Sequence, residues 1–145
     1  MIRVVVQREP IDVAVALAEI EADGAGAVAS FTGLVRADDG VSILDLEHYP
    51  GMTEAALTAL AQGAAVRWEL LAVTIVHRVG PMAPGERVVF VATSARHRAA
   101  ALESCASLID RLKTEAPFWK REVTAEGSRW VEARGGDEDA AARWR

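Results

Sequence analysis

Several familiar signatures are missing from this sequence, and each absence removes a class of protein. Its 145 residues include one cysteine, Cys105, so neither a disulfide framework nor an all-cysteine metal cage is available. The longest apolar runs are strand-length, such as Val88-Val89-Phe90-Val91-Ala92, far short of the ~20 residues a membrane span needs. The N-terminal MIRVVVQREP carries Arg3 and only a brief apolar stretch, which is not the pattern of a signal peptide. No glycine-rich phosphate loop, internal repeat or Gly/Pro/Ser-rich linker is present. His48, His77 and His97 fall on separate elements without the short spacing of metal ligands, so no metal and no cofactor are expected. Lysine is also scarce. Against fourteen arginines and twenty-eight alanines stand only Lys113 and Lys120.

Hydrophobic residues at 51% and charged residues at 26% are enough to build one core, so a single domain over 1–145 is expected. A net charge of −5 argues against nucleic acid as the main partner, because phosphate backbones attract basic surfaces. With no membrane signal and one thiol, a reducing, cytoplasmic location is expected.

Alternating apolar residues read as strands at 2–7, 27–35, 42–49, 71–79 and 87–93, with short final strands at 118–123 and 129–132. Helical spacing marks 10–20 and 53–68, and the segment 80–85 (GPMAPG) reads as a turn. The clearest helix begins near Ala95, with Ser94 as its cap. It places Ala101, Leu102, Cys105, Leu108, Ile109 and Leu112 on one face, and Pro117 ends it. The charged tail from about 135 reads as loose, apart from Trp144. The elements mix without strict alternation, which predicts an α+β domain with about three helices and a mixed, mainly antiparallel sheet.

The first turn of that helix holds Arg96, His97 and Arg98. Cations there oppose the helix dipole at about 0.3–1 kcal/mol each, whereas an anion would be welcomed by the bases and the free N–H groups. Lys113 lies in the last turn of the same helix, where the dipole alone favours it. Lys120 lies in the strand FWKREV, where alternation puts Phe118, Lys120 and Glu122 on one face and Trp119, Arg121 and Val123 on the other. An ammonium beside an aromatic ring and other cations suits acid–base work, since it can release its proton and a guanidinium cannot. Arg36, between an apolar strand and the acidic loop RADDG, suits an anion clamp. His77 alternates with Val73, Ile75 and Val79 and reads as a hydrogen-bonded core residue, as Cys105 reads as a buried, inert thiol. The residues alone give a cationic pocket for a phosphorylated ligand and name no reaction.

The segments FTGLVR (31–36), LEHYPGMTE (46–54), HRVG (77–80), PGERVVFV (84–91), SARHRAAALE (94–103), LKTEAPFWKRE (112–122) and RWVEAR (129–134) resemble the large, catalytic subunit family of molybdopterin synthase, in order and over nearly the whole chain. The resemblance implies a hammerhead-type α+β fold and a sulfurtransferase. Such an enzyme converts cyclic pyranopterin monophosphate to molybdopterin by inserting two dithiolene sulfurs, in molybdenum cofactor biosynthesis. It implies as partners a small ubiquitin-like sulfur-carrier subunit with a C-terminal Gly-Gly thiocarboxylate, and a second copy of the chain, as a homodimer within a heterotetramer. By motif it makes Lys113 and Lys120 the catalytic lysines. The same carry-over places Val35, Arg36, His97, Arg98, Lys113, Lys120, Arg121, Glu122 and Arg134 at the substrate, some of them across the dimer interface. Leu34 stands where some relatives are basic. Two rivals remain open at this point, a non-catalytic module that keeps the pocket and an anion-sensing homo-oligomer built on the Arg96-His97-Arg98 cluster.

Overall fold

The computed structural model describes residues 1–131, 140 and 142–144. The chain opens with β1 (Ile2–Gln7) and α1 (Val13–Ile20), followed by β2 (Ala27–Leu34), β3 (Ile43–His48) and α2 (Met52–Arg67). It continues through β4 (Ala72–Arg78), β5 (Gly80–Met82), β6 (Arg87–Ala95), α3 (Arg98–Glu115), β7 (Phe118–Thr124) and β8 (Gly127–Val131). Among the described residues the three helices α1–α3 and the α+β class match the expectation. In place of the single mixed sheet that the sequence predicts, the strands divide into two four-stranded sheets. One sheet has the order β1-β4-β6-β2 and the other β5-β3-β7-β8. Among the described residues, only the β1–β4 pair is parallel.

The two-residue period of a strand sorts the first sheet into two cores. Val73, Ile75, Val89 and Val91 face one way, against Leu57 and Leu60 of α2 and Leu108 and Leu112 of α3. Val76, Phe90 and Ala92 face the other way, against Ala16 and Ile20 of α1. Each fully buried side chain of this size contributes about 1.5–3 kcal/mol of transfer free energy, so both helical layers are needed to dry the sheet. Asp12 starts α1 by accepting the N–H of Val15 at 3.1 Å, which is why the helix begins after Pro10 and Ile11 rather than at them.

Three local expectations are corrected. Ser94 does not cap a helix; it is a buried residue of β6, paired with Val28 and Ala72 on its two sides. The strand runs on to Ala95, and α3 starts at Arg98 with His97 as a cap that makes no side-chain hydrogen bond. Leu102 is 61% exposed, because the buried stripe of α3 is narrow and runs through Ala101, Ser104, Cys105 and Leu108. Within GPMAPG, residues 80–82 form β5 against β3, a pairing too short to leave a periodic signal.

The carboxyl end contributes a clasp. The Trp144 indole donates to Asp110 at 2.7 Å and lies edge-on to Trp68, while the guanidinium of Arg67 sits 4.4 Å over the Trp68 ring and donates to the Trp144 carbonyl. The segment from about 135 that the sequence marks as loose falls largely outside the described residues.

Candidate active site: a lysine-bearing cavity between the two sheets

Sheet register builds one wall of a cavity of about 430 Å³. On β3 and β7, Leu46 stands opposite Lys120, Leu44 opposite Glu122 and His48 opposite Phe118, while Val131 of β8 pairs with Lys120 from the other side. Residues directly opposite share a face. Leu44, Leu46, Phe118, Lys120, Glu122 and Val131 therefore line the cavity together. The alternate residues turn outward. There Arg121 donates to Asp45 at 2.7 Å, and Trp119 packs edge-on against Tyr49 with ring centroids 4.4 Å apart.

The facing wall comes from the first sheet and α3. Val88 and Val89 of β6 and His77 of β4 close the inner end, and Leu112, Lys113 and Ala116 come from the last turn of α3 and the residue after it. Val35, Arg36 and Asp38 form the lip, where the Arg36 guanidinium lies 3.3 Å from Asp38. Glu122 accepts from Arg129 at 3.4 Å. The chain's two lysines thus arrive at one cavity from different elements, Lys113 exposed at its edge and Lys120 half-buried on its floor.

The strand period places His77 in the core, and the structure makes it both a core residue and a wall of the cavity. Its Nδ1 lies 2.8 Å from the Arg78 carbonyl oxygen, and its ring stacks on Phe118 at 3.9 Å. Burial lowers its pKa from 6.5 to about 4; the bond to Arg78 opposes the shift, and the charges of Lys113 and Lys120 add to it. The available signal was the strand period itself, which aims His77 the same way as Val73 and Ile75. What the period does not show is that the apolar layer opens into a cavity just beyond Ile75.

Of the residues expected at the substrate, Val35, Arg36, Lys113, Lys120 and Glu122 line this cavity. Arg121 lies on the opposite face of β7. His97 and Arg98 are exposed at the start of α3, roughly 22 Å of helix rise from Lys113. Arg134 lies outside the described residues. Cys105 is buried against the Val91 carbonyl, and desolvation raises its thiol pKa to about 11, so the cavity has no reactive sulfur from this residue.

The model of the MoaE protein family matches residues 6–115. The chain belongs to the MoaE family. It is 53% identical over 127 residues to the molybdopterin synthase catalytic subunit of Yersinia pestis, an alignment that covers 86% of this chain and 84% of the relative. Among solved structures, the molybdopterin biosynthesis MoaE protein of Burkholderia ambifaria MC40-6 superposes with a TM-score of 0.86 at 48% identity, covering 99% of this chain and 98% of that one. Molybdopterin synthase from Staphylococcus aureus superposes at 0.83 with 32% identity, over 88% of this chain and 95% of that one. Among the described residues, no helix is long and apolar enough to cross a membrane.

Proposed function

We propose that this chain, as one domain over 1–145, is the catalytic subunit of a cytoplasmic molybdopterin synthase. It converts cyclic pyranopterin monophosphate to molybdopterin with two sulfurs from the C-terminal thiocarboxylate of a small ubiquitin-like carrier. The observation that carries this reading is the meeting of Lys113 and Lys120, the chain's two lysines, in a single cavity. The fourteen arginines would serve as well wherever only a fixed positive charge is needed. An ammonium differs in that it can give up its proton.

The substrate is a phosphate ester and the donor an anionic thiocarboxylate. Cations on walls of low dielectric suit both. Lys113, at the exposed edge, takes the thiocarboxylate end, where an ammonium stabilises the oxyanion formed when the carbonyl carbon is attacked during sulfur release. Lys120, on the floor between Leu46 and Val131, takes the pterin end. Arg36 at the lip holds phosphate. Arg121 fastens β7 to β3 from behind through Asp45 and so fixes the height of Lys120.

His97 and Arg98 are too far along α3 to reach the cavity of their own chain, so they serve the cavity of a second copy in a homodimer, with one carrier subunit on each protomer. The deciding experiment is a single turnover with thiocarboxylated carrier and cyclic pyranopterin monophosphate. Dithiolene product is expected from wild type and almost none from Lys120→Ala. A stable carrier complex that yields no product would instead make the chain a binding module.

A further inference from the structure

The cavity's polar inventory is lopsided. Arg36, Lys113 and Lys120 are donors only. Its carboxylates already have partners, Asp38 with Arg36 and Glu122 with Arg129. A reduced pterin is rich in ring N–H groups, and each one buried without an acceptor costs binding. A further carboxylate would answer poorly, because beside two ammonium groups it would pair with them and cancel the charge meant for the anionic ends of the substrates.

His77 has the geometry for this role. Its Nδ1 is 2.8 Å from the Arg78 carbonyl oxygen, which can only accept, so Nδ1 carries the hydrogen and the lone pair of the neutral ring lies on Nε2. The stack on Phe118 fixes the ring plane. The residue is 6% exposed and lines the cavity at the end walled by Leu46, Val89 and Phe118, away from the Arg36 lip.

We propose that His77 is a specificity-determining residue whose Nε2 accepts a hydrogen bond from a ring N–H of the pterin, holding the heterocycle at the apolar end while the cations take phosphate and thiocarboxylate. This rests on the functional reading above and deepens it. Burial and the two lysines keep the imidazole neutral, so the acceptor is present throughout the physiological range. A ligand with oxygen or an N-methyl group in place of that N–H is rejected there, because it leaves the buried lone pair unmatched.

The test measures binding of cyclic pyranopterin monophosphate by calorimetry to the complex with carrier lacking its thiocarboxylate sulfur. His77→Asn keeps an amide N–H near the Nδ1 position for the Arg78 carbonyl and loses the acceptor at Nε2. His77→Gln reaches the Nε2 position with its amide oxygen. The expected result is pterin affinity about tenfold or more weaker in the Asn variant, largely recovered in the Gln variant, with carrier affinity unchanged in both. Equal losses in the two variants, or an Asn variant within about twofold of wild type, would overturn the assignment. If the Asn variant does not fold, nitrogen NMR of the wild-type imidazole decides. An unprotonated Nε2 resonance that moves upfield on addition of the pterin supports the bond, and one that stays put refutes it. A wild-type complex that binds no pterin overturns the functional reading itself, which separates the two failures.

Discussion

The rings of His77 and Phe118 lie 3.9 Å apart with their planes 20° from parallel, and they belong to different sheets. His77 ends the cavity side of β4, and Phe118 opens β7 two residues before Lys120. The stack is therefore a seam that sets the spacing of the two cavity walls. Phe118→Ala should cost about 2–4 kcal/mol in denaturant unfolding and lower turnover further than the stability loss explains. Phe118→Tyr, which keeps the ring, should preserve both. A Phe118→Ala protein with wild-type turnover would show that the walls are held apart by other contacts.

The same imidazole gives the fold a pH dependence with a defined sign. Its native pKa is about 4 and its unfolded value is 6.5, so between these pH values the unfolded chain binds a proton that the native chain refuses. Stability should fall as pH drops from 6.5 toward 4, by on the order of 3 kcal/mol from this group. The charges facing it are Lys113 from α3, Lys120 from β7 and His48 from β3, all of which disfavour its protonation. Urea unfolding at pH 7, 6 and 5 should show a shallower slope for His77→Phe than for wild type.

Neither lysine lies in the buried core, so each can be removed with the fold kept. Lys113→Ala and Lys120→Ala should each reduce single-turnover product formation by about a hundredfold or more, with melting temperatures near wild type. Arginine at either position should restore substrate binding better than rate, because charge returns without a transferable proton. Wild-type rates in either alanine variant would remove that lysine from the chemistry.

Mixing two impaired variants, assayed at a pterin concentration too low for the Arg98→Ala homodimer to turn over, tests whether the helix start acts across a dimer. Arg98→Ala alone should mainly raise the pterin concentration required. In a dimer of one Arg98→Ala chain and one Lys120→Ala chain, one cavity receives an intact Lys120 and an intact partner Arg98, and the other receives neither. Random mixing should therefore return about a quarter of wild-type sites. Titrating the ratio of the two chains checks this, and no recovery at any ratio would place Arg98 outside the neighbouring cavity.

Local chemistry made much of this readable from residues alone. The 3.6-residue period of Ala101, Cys105, Leu108 and Leu112 marked α3, and alternation put Lys120 with Phe118 and Glu122 and turned Arg121 away, as the register shows. Family resemblance grouped Arg121 with the substrate residues. The structure pairs it with Asp45 behind the strand, so alternation and resemblance part at this residue. Long-range facts were not legible. Nothing in the local pattern tells β3 to pair with β7, or separates the eight strands of the described residues into two sheets, because pairing is decided between segments far apart in the chain. Ser94 is a good cap in isolation and so points to a helix start near Ala95, yet β6 already uses its backbone on both sides, and α3 starts at Arg98. For His77, burial follows from its neighbours in the strand whereas the cavity beside it does not.

The β3–β7 ladder has a consequence for how the protein is made. Leu46 leaves the ribosome long before Lys120, its partner across the ladder. In the interval β3 can gain β5 on one side, while its other edge waits through the synthesis of β6 and α3. An edge left waiting beside Leu44 and Leu46 is a place where a nascent chain can pair with the wrong neighbour. The strand that closes it is the one that brings in Lys120. Closing that edge and bringing Lys120 to the cavity are therefore a single event in the synthesis of the chain.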